Sequence, residues 1–141
     1  MKKLINTSFV YAILAICGGV FYREYTKYMH FDGKTMLAFV HTHLFVLGMI
    51  MFLILALFSI NINLEKSKNF NKFLITYNVG LLGTVAMMII RGILQVNGTI
   101  LSSAISSMIS GIAGLFHIII TIGLVMLFIM LKNCLQKKNR D

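Results

Sequence analysis

Proline and tryptophan are missing from this chain, and charge is scarce: 12% of its 141 residues are Asp, Glu, Lys or Arg, and four residues in all are acidic. Without proline, no position forces a break inside a long helix. Without tryptophan, tyrosine and phenylalanine are left to mark membrane interfaces. A chain with so little charge and 58% hydrophobic residues is excluded as a soluble domain of this size, which implies an integral membrane protein. Thiols are few as well. Cys17 lies inside the first apolar run and Cys134 after the last, at different depths on different helices, so no disulfide is expected. The formal net charge of +9 could suggest a nucleic-acid partner, but the basic residues stand in short groups beside apolar runs. Orientation in a bilayer accounts for them, and no nucleic-acid partner is expected.

What the chain does contain is four apolar stretches, at about 4–22, 35–60, 70–96 and 103–131. Each is near the ~20 residues that a bilayer-spanning helix needs. The links between them are short, so the expected fold is all-α: an antiparallel bundle of four transmembrane helices forming one domain over residues 1–141. The opening Met1-Lys2-Lys3 resembles a signal peptide, and Leu14-Ala15-Ile16-Cys17 approaches a lipoprotein cleavage box. Ile16 is too large for such a site, and the run continues to Tyr22, so a spanning helix is the expectation. Lys2 and Lys3, then Lys66, Lys68 and Lys72, then Lys132, Lys137, Lys138 and Arg140 put nine basic residues on one side, against Arg23, Lys27, Lys34 and Arg91 on the other. Both termini are therefore expected in the cytoplasm, with the protein in the cell membrane.

Helical spacing gives three polar or small stripes: Tyr77, Gly80, Thr84, Met87, Arg91 and Gln95 on the third helix; Ser8, Ala12, Gly19 and Arg23 on the first; Ser110, Ala113, Gly114, His117 and Thr121 on the fourth. Close helix packing accounts for the glycines and serines. It does not account for Arg91 or the histidines. In the segment from Val40 to Gly48, His41 and His43 interrupt a hydrocarbon run, and an imidazole in a bilayer needs a partner. Being two apart, they point about 200° from each other and cannot serve one site in the same way. They lie ~7 to 12 Å inside the outer end of their helix.

His117, near the middle of the fourth helix, is expected at a depth comparable to His43. Two imidazoles facing across a bundle match the two axial positions of a haem iron. A zinc or copper site needs three or four convergent donors, and acidic or thiolate donors are missing at this depth. Gly48 leaves a gap for a flat ring system below His41. Arg91, ~8 Å from the outer end of its helix, is placed to pair with a haem propionate, and Arg23 with the second, although snorkelling explains Arg23 equally. His30, in the outer loop, is read as a surface residue whose functional role would be haem capture or exchange.

The segment His41-Thr-His43-Leu-Phe-Val-Leu-Gly48 resembles the HxHxxxxG segment of the haem-copper oxidase and nitric oxide reductase superfamily, whose two histidines ligate different haems from opposite faces of one helix. Eight residues carry that resemblance, and the remaining metal ligands are absent, so oxygen reduction is not implied. Over nearly its whole length the chain is similar to a family of small four-helix bacterial membrane proteins that includes the haem-sensing membrane protein HsmA. The matching pieces are Met1 to Phe9, Val20-Phe21-Tyr22-Arg23-Glu24 and Val40 to Met49. That resemblance implies haem binding and protection against haem or oxidative stress.

The expectation is thus a protein holding haem b without covalent attachment, since no Cys-x-x-Cys-His motif exists. His117 is one axial ligand and His41 or His43 the other. Its partners would be haem, the lipid bilayer and a quinone or other electron donor, with a homo-oligomer compatible with the sequence. Sequestration and electron transfer both remain open. A small transporter for metal ions or hydrophobic cations is the alternative, weakened because Glu24, Asp32, Glu65 and Asp141 all lie outside the apolar cores. A third class is an accessory subunit whose histidines only bond between helices.

Overall fold

A computed structural model describes residues 1–62 and 64–138, and contains helices and no strands among them. Arg140 and Asp141, used above in weighing charge, lie outside the described residues. Four helices are long and apolar enough to cross a membrane: α1 (Lys2–Tyr28), α2 (Met36–Asn61), α3 (Phe70–Val96) and α4 (Ser103–Lys138). α1 runs six residues, and α4 seven, past the ends expected from hydropathy. Polar residues end an apolar run without ending a helix, and neither extension contains a glycine or proline to stop it.

What stops α1 is a capping turn. The Phe31 N–H donates to Thr26 O and the His30 N–H to Lys27 O, with His30 at φ 50. α3 ends on the same pattern, Thr99 to Leu94 and Gly98 to Gln95, with Gly98 at φ 63. Both are the reversal in which one left-handed residue lets the last carbonyls find partners. His30 thus has a local structural task.

α2 is irregular where the sequence reads as smoothly helical. It begins as a 3₁₀ turn (Met36–Phe39), continues as α-helix (Val40–His43), widens to a π-helix (Leu44–Ile50) and returns to α-helix (Met51–Asn61). Thr35 sets the start, its side chain accepting from the Leu37 N–H and donating to Gly92 O at 3.0 Å. The widened turn is held from both neighbours: Tyr77 donates its hydroxyl to Leu47 O, and Ser8 to Met49 O, each at 2.8 Å. Carbonyls released from the α-helical ladder would otherwise be costly in an apolar interior.

The space beside Gly48 belongs to α1. A Cβ there would come within 2.5 Å of the Tyr11 ring, so Gly48 lets Tyr11 lie against α2, and the gap expected for a flat ligand is filled by the protein's own phenol. Tyr11 stacks on Phe52 at 5.7 Å, Phe52 meets the edge of Tyr77 at 5.7 Å, and Phe73 tilts on Tyr77 at 5.6 Å. The Tyr11 hydroxyl donates to Asn78 Oδ1 at 2.5 Å, and Asn78 Nδ2 to Leu74 O at 2.7 Å, so the polar ends of this aromatic centre are satisfied.

α3 is the hub, touching α1, α2 and α4. Half of its most apolar window is buried by protein, against 17% for α4. α4 lies along α3 and reaches the short Leu64–Lys66 turn at one end. Its seat on α3 depends on missing side chains: a Cβ at Gly80 would fall 2.5 Å from the Ile120 nitrogen, one at Gly83 would enter the Phe116 ring, and one at Gly123 would sit 3.0 Å from Tyr77 Cα. The α4 stripe expected at Ser110, Gly114, His117 and Thr121 is not this seat, being exposed. Ile109, Ile120, Gly123, Leu127 and Met130 are buried instead.

Candidate functional site

α2 and α4 both rest on α3 and barely touch each other, so a strip of α3 lies between their facing flanks; this interval is called the crevice. Contact pairs give the depth of each histidine. Gly92 lies against Leu37, and Tyr77 reaches Leu47. Likewise Gly80 meets Ile120, Gly83 meets Phe116 and Arg91 meets Ser110. Interpolating along the helices at ~1.5 Å per residue brings both His43 and His117 to about the level of Gly83 and Thr84.

Helical rotation gives their directions. On α3, Arg91 projects between the Gly80–Gly83 strip that meets α4 and the Tyr77–Gln95 strip that meets α2. Its Nη1 donates to Ser110 Oγ at 3.0 Å, which marks the Ser110 flank of α4 as the crevice side. His117 is on that flank, about 90° round from the residues seated on α3. On α2, His43 stands about 60° beyond Val40, on the side away from α1, and so turns toward the same crevice. His41 goes the other way: Gly19 of α1 lies over it, a Cβ there meeting His41 Cβ and Cγ at 3.7 Å. Helical rotation and rise thus put His43 and the exposed His117 at about one level, on the flanks of α2 and α4 turned toward each other across α3, while His41 lies at the α1 contact.

The two crevice histidines share a local feature. His43 Nδ1 is 2.9 Å from Phe39 O, and His117 Nδ1 is 2.8 Å from Ala113 O. A carbonyl only accepts, so each Nδ1 is the donor, and it is the tautomer with the proton on Nδ1 that leaves an Nε2 lone pair free. That is the tautomer and the orienting bond used by metal-ligating histidines. His41 lacks such a bond, its Nδ1 being enclosed without a partner.

Arg91 lines the crevice ~11 Å from the histidine level, toward the Gln95 end. It is half-buried, donates to Ser110 Oγ, and has no salt bridge to a carboxylate among the described residues. Thr84, fully buried on the floor at the histidine level, has a hydroxyl with no partner, a state the sequence stripe could not reveal. Arg23 is not brought to the crevice. It is exposed on α1 with Nε 3.7 Å from Glu24 Oε1.

No group of three or more His, Cys, Asp or Glu able to hold a metal ion occurs among the described residues. Two imidazoles are fewer donors than the three or four that a bare zinc or copper ion needs, so the residues that could hold an iron-bearing group here are His43 and His117 alone.

These features define a helical protein with four spans of membrane-crossing length and composition. The chain belongs to the family described as "Protein of unknown function (DUF2871)", whose family model matches residues 1–134. No curated protein and no solved structure matches it.

Proposed function

We propose that this is an antiparallel four-helix protein of the cell membrane that binds haem b in the crevice between α2 and α4, with His43 and His117 as axial ligands. The observation that carries the reading is the matched state of these two rings: same level, facing walls, Nδ1 held by the carbonyl four residues earlier, Nε2 free. His43 is preferred to His41 because His41 turns to α1 at Gly19. Arg91 is the propionate partner, since a half-buried guanidinium without a carboxylate is costly in a membrane until an anion joins it. The local HxHxxxxG resemblance points the same way. The alternation of contact pairs supports the antiparallel arrangement, and the nine-to-four basic asymmetry supports cytoplasmic termini.

If bound, a haem would supply a one-electron couple, and His43 and His117 would be the residues that hold it. The protein's part would be to orient both rings through their Nδ1 bonds and to offer Arg91 to the carboxylates. Sequestration of haem and protective electron transfer follow equally from that arrangement.

The test is the oxidised and reduced absorption spectrum of protein purified from haem-replete membranes, with His41, His43 and His117 each replaced by alanine. Sharp bis-histidine bands lost in His43→Ala and His117→Ala and kept in His41→Ala are expected. A colourless wild-type protein beside haem-loaded controls would overturn the reading.

A further inference from the structure

Away from the crevice, at the end of the molecule where α2 gives way to α3 and α4 terminates, lies a cavity of about 610 Å³. Lys66, Lys137 and Lys138 line it, together with Asn61, Ser67 and Asn133. Its walls come from two distant parts of the chain: the Leu64–Lys66 turn, and the last turns of α4, whose helix continues beyond its apolar residues as far as Lys138. That continuation puts Cys134, Lys137 and Lys138 at i, i+3 and i+4, on one face.

Three ammonium groups lining one hollow repel one another, and among the described residues no carboxylate lines it to offset them. The acid nearest in sequence, Glu65, is turned away and paired with the Met1 amino group. The amides of Asn61 and Asn133 and the Ser67 hydroxyl add neutral hydrogen-bonding groups around the same space, while Ile62, buried in the core, and Cys134, packed on it, give the cavity an apolar side. Scattered basic residues would serve to orient the chain just as well, so charge at this end does not by itself account for a basic hollow with polar neutral groups. The chemistry that satisfies all of these groups is a phosphate ester anion with an apolar tail.

We propose that this cavity binds the headgroup of an anionic phospholipid, with Lys66, Lys137 and Lys138 on the phosphate and the acyl chains leaving past Ile62 and Cys134. Basic pockets between helices at the membrane surface are recurrent sites for such lipids. The site is independent of the haem crevice and stands or falls separately from it.

The experiment is native mass spectrometry of the full chain released from detergent, after exchange into mixtures of phosphatidylglycerol and phosphatidylcholine. The wild-type protein, Lys66→Gln/Lys137→Gln/Lys138→Gln and a control Lys68→Gln/Lys72→Gln/Lys132→Gln are compared. The control removes equal charge from residues outside the cavity. Retention of phosphatidylglycerol should fall on the order of 100-fold in the cavity variant, about fivefold per lysine, and stay near wild-type in the control. Equal loss in both variants would overturn the proposal in favour of diffuse surface attraction. A thermal melt of the wild-type protein needs no variant and guards against misfolding of the triple mutant. Phosphatidylglycerol should raise the midpoint, and phosphatidylcholine and inorganic phosphate at equal concentration should not. A rise with inorganic phosphate equal to that with lipid would overturn the lipid headgroup as the ligand.

Discussion

α3 and α4 are close in composition and unlike in circumstance. Compared over the most apolar stretch of each, α4 is the more apolar of the two and the less buried by protein. In a membrane protein apolarity measures contact with lipid as much as with the core, so hydropathy locates a span without saying what surrounds it. Their small residues diverge in the same way. Gly80 and Gly83 of α3 admit α4, whereas Gly111 and Gly114 of α4 face open space, where an added Cβ meets nothing within 4 Å. On α4 itself the two cases stand side by side, Gly123 closing on Tyr77 while Gly111 and Gly114 meet nothing.

Gly80→Ala should have the largest effect on stability. Its Cβ would press on the backbone of Ile120, which cannot rotate away as a side chain can, so a loss of about 3 kcal/mol is expected in chemical unfolding of the detergent-solubilised protein. A loss under 1 kcal/mol would mean that α4 is free to shift on α3. Next comes Tyr77→Phe. Removing the hydroxyl leaves Leu47 O in the π turn without its donor, at a cost of about 1 to 2 kcal/mol, and the equivalent loss at Ser8→Ala on Met49 O should be similar. Gly111→Ala should reverse the sign, gaining about 0.5 to 1 kcal/mol, because an exposed helical glycine only adds backbone freedom to the unfolded chain. A loss there comparable to that of Gly80→Ala would show the α4 face to be packed in the membrane, and the contrast between the helices would collapse.

Much of the fold was readable because four apolar runs and short links leave few alternatives. Helix existence followed from run length, and the polar stripe of α3 did mark the inward side, with Tyr77, Gly80, Thr84 and Met87 all buried. The π-helix was not readable. Its cause is tertiary, two hydroxyls from α1 and α3 holding carbonyls of α2, and no local pattern in Leu44–Ile50 encodes it. For the histidines, spacing required that His41 and His43 diverge, but only the Gly19 contact of α1 determined which one turned inward between those helices. The seat of α4 escaped for a related reason: Ser110, Gly114 and His117 look like a packing stripe by size, yet size cannot tell a face kept small for a neighbour from one kept small for another purpose.

The smallest expected effect falls at Thr84, where the two helices and the crevice meet. Its hydroxyl is buried at the histidine level and, unlike Thr121 on the exposed face of α4, which donates to His117 O at 2.7 Å, it has no acceptor. Burying an unpaired hydroxyl costs free energy that a methyl group would not, so Thr84→Val should leave the haem-free protein unchanged or raise its stability by up to about 0.5 kcal/mol. The same change at Thr121 should be near neutral, since its bond to a helix carbonyl contributes little to a turn already closed. A loss above about 1 kcal/mol at Thr84 would show that the hydroxyl works for its place in the fold. Stability unchanged without haem but altered when haem is supplied would instead tie the floor of the crevice to whatever its two walls hold.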